Sequence, residues 1–318
     1  AAGRVQTVTY GDGAFTVTYA YDETTGLLAS VTDSLTNSKI EFTYDADRRL
    51  TGVKRSNGVN TELEWDAAGR LTGIRDAKTS EVSQTSEVLN LQYTLDAAGQ
   101  VTNAQMTAPL DPASNFQLQT SNFQYDAASQ LASDGYAYDA QGRLTQSPDG
   151  EFKWDALSRL VGIGDPSASS EQAVALTYNG FGDVVSRAEG DKVTRYAYNY
   201  ALGLAPIVAE SEIRSPQSEI PLRYYVWSPG GTLLYTIDAA SGNAVSFYHF
   251  DRTGSTLALT NADGAITDAY AYDPYGQQLA HEGDSTQPFT FVGKWGVRQE
   301  GGPSPGSGGS LYHMRARY

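Results

Sequence analysis

Few residues in this chain have types and spacing suited to catalysis. Gly302, Pro303, Ser304, Pro305 and Gly306 spell G-x-S-x-G, the pattern of a nucleophile elbow. That elbow needs a strand before the serine and a helix after it. Two prolines within a Gly/Pro/Ser tract supply neither, so Ser304 is read as a loop residue. His249, His281 and His313 lie 32 residues apart. A zinc centre needs ligands gathered with supporting hydrogen bonds; even spacing spreads them out, and structural roles are expected. Asp273 in "YDPYG" is a single carboxylate, whereas an aspartyl pair needs two sharing a proton. Pro274, at the second turn position, already explains that stretch as a turn. Glycosylation sequons, calcium-loop spellings and phosphate-binding glycine loops are absent from the sequence. The residues therefore predict no enzyme, no cofactor and no metal.

Composition narrows the partners. The 318 residues carry 37 acidic and 22 basic side chains, a formal net charge of −15. Nucleic acid and anionic membranes would repel such a chain. There is no cysteine, so neither disulfides nor thiolate chemistry enter. No apolar run approaches the roughly 18 residues of a membrane span, and membrane insertion is not expected. The opening "AAGRVQTVTYGDG" lacks the basic and apolar regions of a signal peptide. Leu, Ile, Val and Phe make up only about a fifth of the chain, which with this charge borders on disorder. The 21 Tyr and four Trp reverse that reading: the chain folds, and its apolar surface is aromatic.

A repeat explains the aromatics. "YDADRRLTGV" begins at Tyr44, "WDAAGRLTGI" at Trp65, "YDAQGRLTQS" at Tyr138 and "WDALSRLVGI" at Trp154. Looser copies begin at Tyr21, Leu95, Tyr125, Tyr178, Trp227, Phe250 and Tyr272. Residues before each aromatic alternate, so Ile40, Phe42 and Tyr44 share one face of a strand. The following aspartate (Asp45, Asp66, Asp139, Asp155) opens a turn by accepting backbone N–H groups. Gly69, Gly99 and Gly142 supply the positive φ that closes a three-residue hairpin loop with a bulge. Arg48, Ser129 and Ser158 stand where glycine is expected, so those turns should be strained or differently shaped. The leucine that follows, at 71, 131, 144 or 160, restarts a strand.

About a dozen hairpins predict an all-β chain of some two dozen strands. Open sheets rarely exceed about 10 strands without curling, so the ribbon must wind. A filled solenoid wants more aliphatic residues than are present. A hollow wall, wetted on both faces and held by cross-strand aromatic pairs, is the better reading. The aromatics beside Asp also resemble sugar-stacking surfaces, though packing within the repeat is the favoured explanation.

These motifs resemble the YD-repeat, or Rhs, family of bacterial polymorphic toxins, insecticidal toxin-complex C subunits and teneurins. "YYVWSPGGTLLYTID" at 224–238, the 247–276 stretch with Asp273, Pro274 and Gly276, "PFTFVGKWG" at 288–296 and "LYHMRARY" at 311–318 resemble the end of the family core. The resemblance implies a β-ribbon spiralling into a hollow shell, or part of one. It divides the chain into a repeat wall at 1–223 and a core C-terminal region at 224–318, with a flexible Gly/Pro/Ser loop at 298–310. It implies a secreted or cell-surface bacterial protein whose shell encloses its own C-terminal effector. A second shell-forming or delivery protein is the other implied partner. In such toxins the segment after Arg-Ala-Arg-Tyr plugs the shell and carries the aspartates that cut the effector free, so autoproteolysis is expected only of a chain continuing past Tyr318. Arg315 and Arg317 face one side of a final strand, either as plug contacts or as an ordinary charged face. An extracellular adhesin binding glycans or a partner cell surface is the alternative function.

Overall fold

The computed structural model describes residues 3–79, 85–110, 124–148, 150–164, 174–215, 217–300 and 311–314. Among them are 25 strands, three single-turn 3₁₀ segments and no α-helix. Nine strands, from Thr7–Tyr10 to Val101–Thr107, form one sheet in which each pairs with the next. Fourteen more, from Ala137–Tyr138 to Gln278–Glu282, form a second sheet of the same meander type. Every strand pairing among the described residues is antiparallel, from the first hairpin to the last. Arg298–Gln299 and Tyr312–His313 make a separate two-stranded sheet. The all-β expectation and the strand number are both met.

The alternation read from "KIEFTY" is present, with Ile40 buried between exposed Lys39 and Glu41. The register extends that face across the sheet. Ile40 opposes Arg55, Phe42 opposes Val53, and Val53 opposes Thr61. Thr61 in turn opposes Asp76, and Leu63 opposes Ile74. This face turns toward the second sheet.

The two sheets are successive windings. Tyr10 Oη donates to the Tyr225 carbonyl at 3.0 Å and Tyr19 Oη to that of Trp227 at 3.0 Å. Tyr235 Oη donates to Asp33 Oδ2 at 2.9 Å, and Asn57 Nδ2 to Thr260 Oγ1 at 2.9 Å. Position along the first sheet therefore advances with position along the second, each contact joining residues about 200 apart (208 and 203 for Tyr19 and Asn57). The main core fills this seam with Tyr10, Phe15, Val17, Val31 and Ile40 against Tyr224, Val226, Tyr235 and Phe247.

A wall wetted on both faces does not describe the strands around this seam. In Thr256–Thr260 all five residues are buried, and in Leu233–Asp238 five of six. Along Ser218–Trp227 the alternation explains why. Tyr224 meets Phe15 at 4.9 Å across the seam, while Tyr225 and Trp227 meet Phe289 edge-on at 4.8 and 5.3 Å. One side thus packs on the first winding and the other beneath the segment around residues 285–300.

The 223/224 division of motif resemblance coincides with no break in the ladder, because Ser218–Trp227 pairs with Leu233–Asp238 from Arg223 to Trp227. The first sheet ends at Thr107 and the second begins at Ala137. Two expectations are corrected by the backbone. Leu131 does not restart a strand; it forms an isolated bridge with Tyr125. The expected 298–310 loop begins later, because Arg298 is 1% exposed and Glu300 3%; residues 301–310, with Ser304, lie outside the described residues.

Candidate functional site

The repeat motif is the most frequent side-chain constellation, and its atoms hold the wall in two directions. At each full motif the aspartate caps its own turn. Asp45 Oδ1 accepts from Arg49 N at 2.9 Å, Asp66 Oδ1 from Arg70 N at 2.9 Å, Asp139 Oδ1 from Arg143 N at 3.0 Å and Asp155 Oδ1 from Arg159 N at 2.9 Å. The second oxygen takes the arginine Nε at 2.6 to 2.7 Å in all four. Partial desolvation pushes the Asp45 and Asp139 carboxyls up, but the arginine backbone and side-chain bonds outweigh it and hold both below the usual range. For Asp66 and Asp155 the backbone bond from the arginine is the leading cause of the same lowering.

The arginine then reaches forward. Arg70 Nη1 donates to the Asp96 carbonyl at 2.6 Å, Arg143 Nη1 to that of Asp155 at 2.9 Å, and Arg49 Nη1 to that of Asp66 at 3.5 Å. The aromatic reaches back, to the carbonyl of the residue that restarts a strand after the previous turn. Tyr44 bonds Leu28 at 3.0 Å, Trp65 bonds Leu50 at 2.8 Å and Trp154 bonds Leu144 at 2.7 Å. Tyr178 bonds Leu160 at 2.5 Å, Tyr198 bonds Val184 at 2.9 Å and Trp227 bonds Ile207 at 2.8 Å. A register shift sits at each of these aromatics. The bulge swings the ring along the ribbon toward its neighbour. Tyr and Trp recur, and Phe seldom does, because each joint uses the Oη or Nε1 donor. Tyr138 shows the shift, opposite Leu144, while Leu95 takes the aromatic's place with no donor to offer.

The turns keep one shape whatever closes them. Gly69 and Gly142 have φ of 73° and 77°; Arg48, Ser129 and Ser158 have 66°, 62° and 60°. The non-glycine turns are strained rather than reshaped. Asp273 heads such a turn, accepting from Tyr275 N and Gln277 N at 2.8 Å each. Gly276 closes it at φ 95°, with a Cβ position only 2.6 Å from Phe291, and its carbonyl accepts from Tyr312 Oη at 2.8 Å. Asp273, Pro274 and Gly276 thus tie the ribbon end to the C-terminal strand. Arg315 and Arg317 lie outside the described residues.

A second constellation is absent from the sequence reading. His249, Asp76 and Thr260 are each at most 1% exposed. His249 Nδ1 lies 2.9 Å from Asp76 Oδ2, and Nε2 lies 2.8 Å from Thr260 Oγ1. The Asp76 carboxylate can only accept, so Nδ1 carries the proton of the neutral ring, and Nε2 accepts from the Thr260 hydroxyl, which itself accepts from Asn57 Nδ2. Burial lowers the His249 pKa despite Asp76, with Arg55 reinforcing the lowering. Asp76 would be raised by burial, but His249, Arg55 and Thr61 hold it below the usual range. The Thr–His–Asp order matches that of a nucleophile triad, but every member is closed off from substrate. Its geometry clamps one winding to the next. Asp33 and Asp76 follow Val31 and Ile74 two residues on, on the same side of the strand, and a carboxylate in that position was the available sequence signal.

The C-terminal segment closes the other side. Gln287 Oε1 accepts from Tyr248 Oη at 3.0 Å, and Thr256 Oγ1 donates to the Phe289 carbonyl at 2.7 Å. Arg298 Nε donates to Glu300 at 2.7 Å, and its guanidinium lies 4.1 Å over the Tyr196 ring. His281 stacks on Tyr270 at 4.4 Å and bonds Asp268 at 3.2 Å, and His313 is buried opposite Arg298. The three histidines therefore occupy separate places. No group of three or more metal-ligating side chains occurs among the described residues.

The RHS Repeat family model matches residues 44–81, the stretch of the Tyr44 and Trp65 turns. Toxin protein Tse5 of Pseudomonas aeruginosa is 24% identical over 325 residues, covering 94% of this chain and 24% of Tse5. A chain of the Photorhabdus luminescens Tc holotoxin pore aligns over 99% of this chain and 19% of its own length, with a TM-score of 0.68 at 15% identity. A chain of the TcdB2–TccC3–TEV crystal structure aligns over the same shares, with a TM-score of 0.65 at 16% identity. The chain spans about a quarter of the length of its curated relative and about a fifth of those solved chains. Fold and motif together define a wound YD-repeat β-wall. The chain carries the RHS Repeat motif over residues 44–81 and resembles the Rhs, or YD-repeat, family.

Proposed function

We propose that the chain forms part of the wall of a secreted bacterial toxin-type protein, a structural shell that secludes its own C-terminal effector polypeptide until release. The observation that carries this reading is the double closure of the ribbon. Its second winding is sealed on one side by the first and on the other by the 285–300 segment, which leaves the wall without an open seam along those strands. The mechanism is steric: hydrogen-bonded strands and their Asp–Arg and aromatic joints exclude protease and target from what lies behind them. The likeness to Tse5 and to Tc toxin chains supports a toxin setting and delivery outside the producing cell. Tyr44, Asp45, Trp65, Asp66, Gly69 and their counterparts at 138–142, 154–155 and 273–276 act as wall-builders, with no catalytic role. Among the described residues no helix is long and apolar enough to cross a membrane.

The test is the intact mass of the product of the natural reading frame, with limited proteolysis of the same preparation. A separate C-terminal piece beginning shortly after Tyr318, protease-resistant while the wall stays folded, is the expected result. An uncut polypeptide with a freely digested C-terminal part would overturn the container. One observation favours the adhesin alternative: Phe181 (83% exposed) and Tyr200 (52%) stand 5.2 Å apart at neighbouring turns. Glycan binding abolished by Phe181→Ala would support it.

A further inference from the structure

The seam holds a partly open cavity of about 110 Å³, lined on the first winding by the face that the register assembles. Ile40, Phe42, Val53, Leu63 and Ile74 give it an aliphatic and aromatic floor, and Phe250 of the second winding roofs it. Its polar groups are of a different kind. Arg55 is 8% exposed at its side chain; Nη1 donates to the Val59 carbonyl and Thr61 Oγ1, and Nη2 to the Tyr248 carbonyl. Its Nε is buried with no hydrogen-bond partner. A buried cationic donor left unsatisfied is costly and asks for an acceptor.

Lys294 also lines the cavity. Its ammonium lies 5.8 Å from the Phe250 ring centre and 5.2 Å from that of Trp295, and no carboxylate is in ion-pair range of it among the described residues. The carboxylates that share the lining are already engaged. Asp76 is held by His249 and Thr61, with Arg55 at 3.7 Å, and Asp251 caps its own turn by accepting from Gly254 N and Ser255 N at 2.8 Å each. Arg252, the remaining charged lining residue, lies over the Tyr93 ring. An apolar chamber with three cations, two occupied carboxylates and an orphaned guanidinium donor is matched to an anion with a hydrophobic tail.

We propose that this cavity is a binding site for a small carboxylate bearing a short aliphatic tail, its head between Arg55 and Lys294 and its tail against Val53, Leu63 and Ile74. An apolar cavity of about 150 Å³ holds benzene, so this smaller one sets the tail at about three to five carbons. Because both windings contribute walls, the ligand binds only when the seam is closed and holds it closed. The site is independent of any cargo.

Calorimetric titration of the purified chain tests it with isovalerate, isoamyl alcohol and isoamylamine. The expected result is saturable one-site binding of isovalerate, at least tenfold weaker for the alcohol and the amine. Lys294 is only half-buried, so Lys294→Met is expected to fold and to weaken isovalerate at least tenfold. Val53→Phe, which fills the tail space, is expected to abolish binding, with the thermal melt reporting its fold. Three outcomes would overturn the proposal: no saturable isovalerate binding, equal binding of alcohol and acid, or wild-type affinity in folded Lys294→Met.

Discussion

Removing the phenolic hydroxyls that join neighbouring hairpins should loosen the wall without emptying its core. Tyr21, Tyr44, Tyr178 and Tyr198 donate to the carbonyls of Val5, Leu28, Leu160 and Val184 at 2.8, 3.0, 2.5 and 2.9 Å. Tyr→Phe at each leaves the ring and deletes one bond. A net protein hydrogen bond is worth about 0.5–1.5 kcal/mol. The four share no acceptor, so their effects should add, and the quadruple variant should lose about 2–6 kcal/mol. Two bonds across the seam provide an internal comparison. Tyr10 and Tyr19 are 3% exposed and donate to carbonyls of the other winding, so each Tyr→Phe strands a buried acceptor and costs about 1–3 kcal/mol. Urea unfolding followed by tyrosine and tryptophan fluorescence measures both sets. A quadruple variant within about 0.5 kcal/mol of the parent would refute the argument that the motif aromatic is selected for its donor.

Three further outcomes follow from the same geometry. Ser129→Gly relieves a left-handed residue at φ 62° and should stabilise by about 1 kcal/mol in a thermal melt. Gly276→Ala, with φ 95° and a Cβ 2.6 Å from Phe291, should destabilise by about 2–4 kcal/mol from strain and overpacking together and release the Tyr312 contact to proteolysis. His249 is held neutral by burial, below its unfolded pKa near 6.5. Its contribution is therefore complete above about pH 6.5 and lost as the unfolded state takes up the proton at lower pH. Urea midpoints at pH 7 and pH 5 should differ more in the parent than in His249→Gln. The turn aspartates, lowered from carboxylate values near 3.9, act only in a more acidic window.

What the sequence disclosed follows the range of the forces involved. The turns were legible because everything that shapes them lies within five residues: the aspartate, its amide donors and the residue at positive φ. The family resemblance was legible from the same stretches. Leu131 was misread because a motif alone does not guarantee a partner strand; it makes only a bridge to Tyr125. Arg298–Glu300 were assigned to a loop by their Gly/Pro/Ser neighbours, yet Arg298 is buried against Tyr196, an element about 100 residues earlier. The seam was invisible for a related reason. His249 finds Asp76 at a separation of 173 residues, and nothing in either neighbourhood names the other. A carboxylate placed inward beside Val31 or Ile74 was the one local mark of it.

The backward direction of the aromatic joints bears on how the wall is made. Each ring bonds a carbonyl already synthesised, so a growing chain completes every joint with what precedes it. Hairpins close in microseconds, far faster than the roughly 5–20 residues added per second. The ribbon can therefore set, strand by strand, as it leaves the ribosome. The seam obeys a different clock. Tyr19 must wait for a residue 208 positions later, about 10–40 s of synthesis at that pace. Through the later part of that interval the first winding stands finished to Thr107 but uncovered, its Ile74 and Asp76 face open to whatever chain is near.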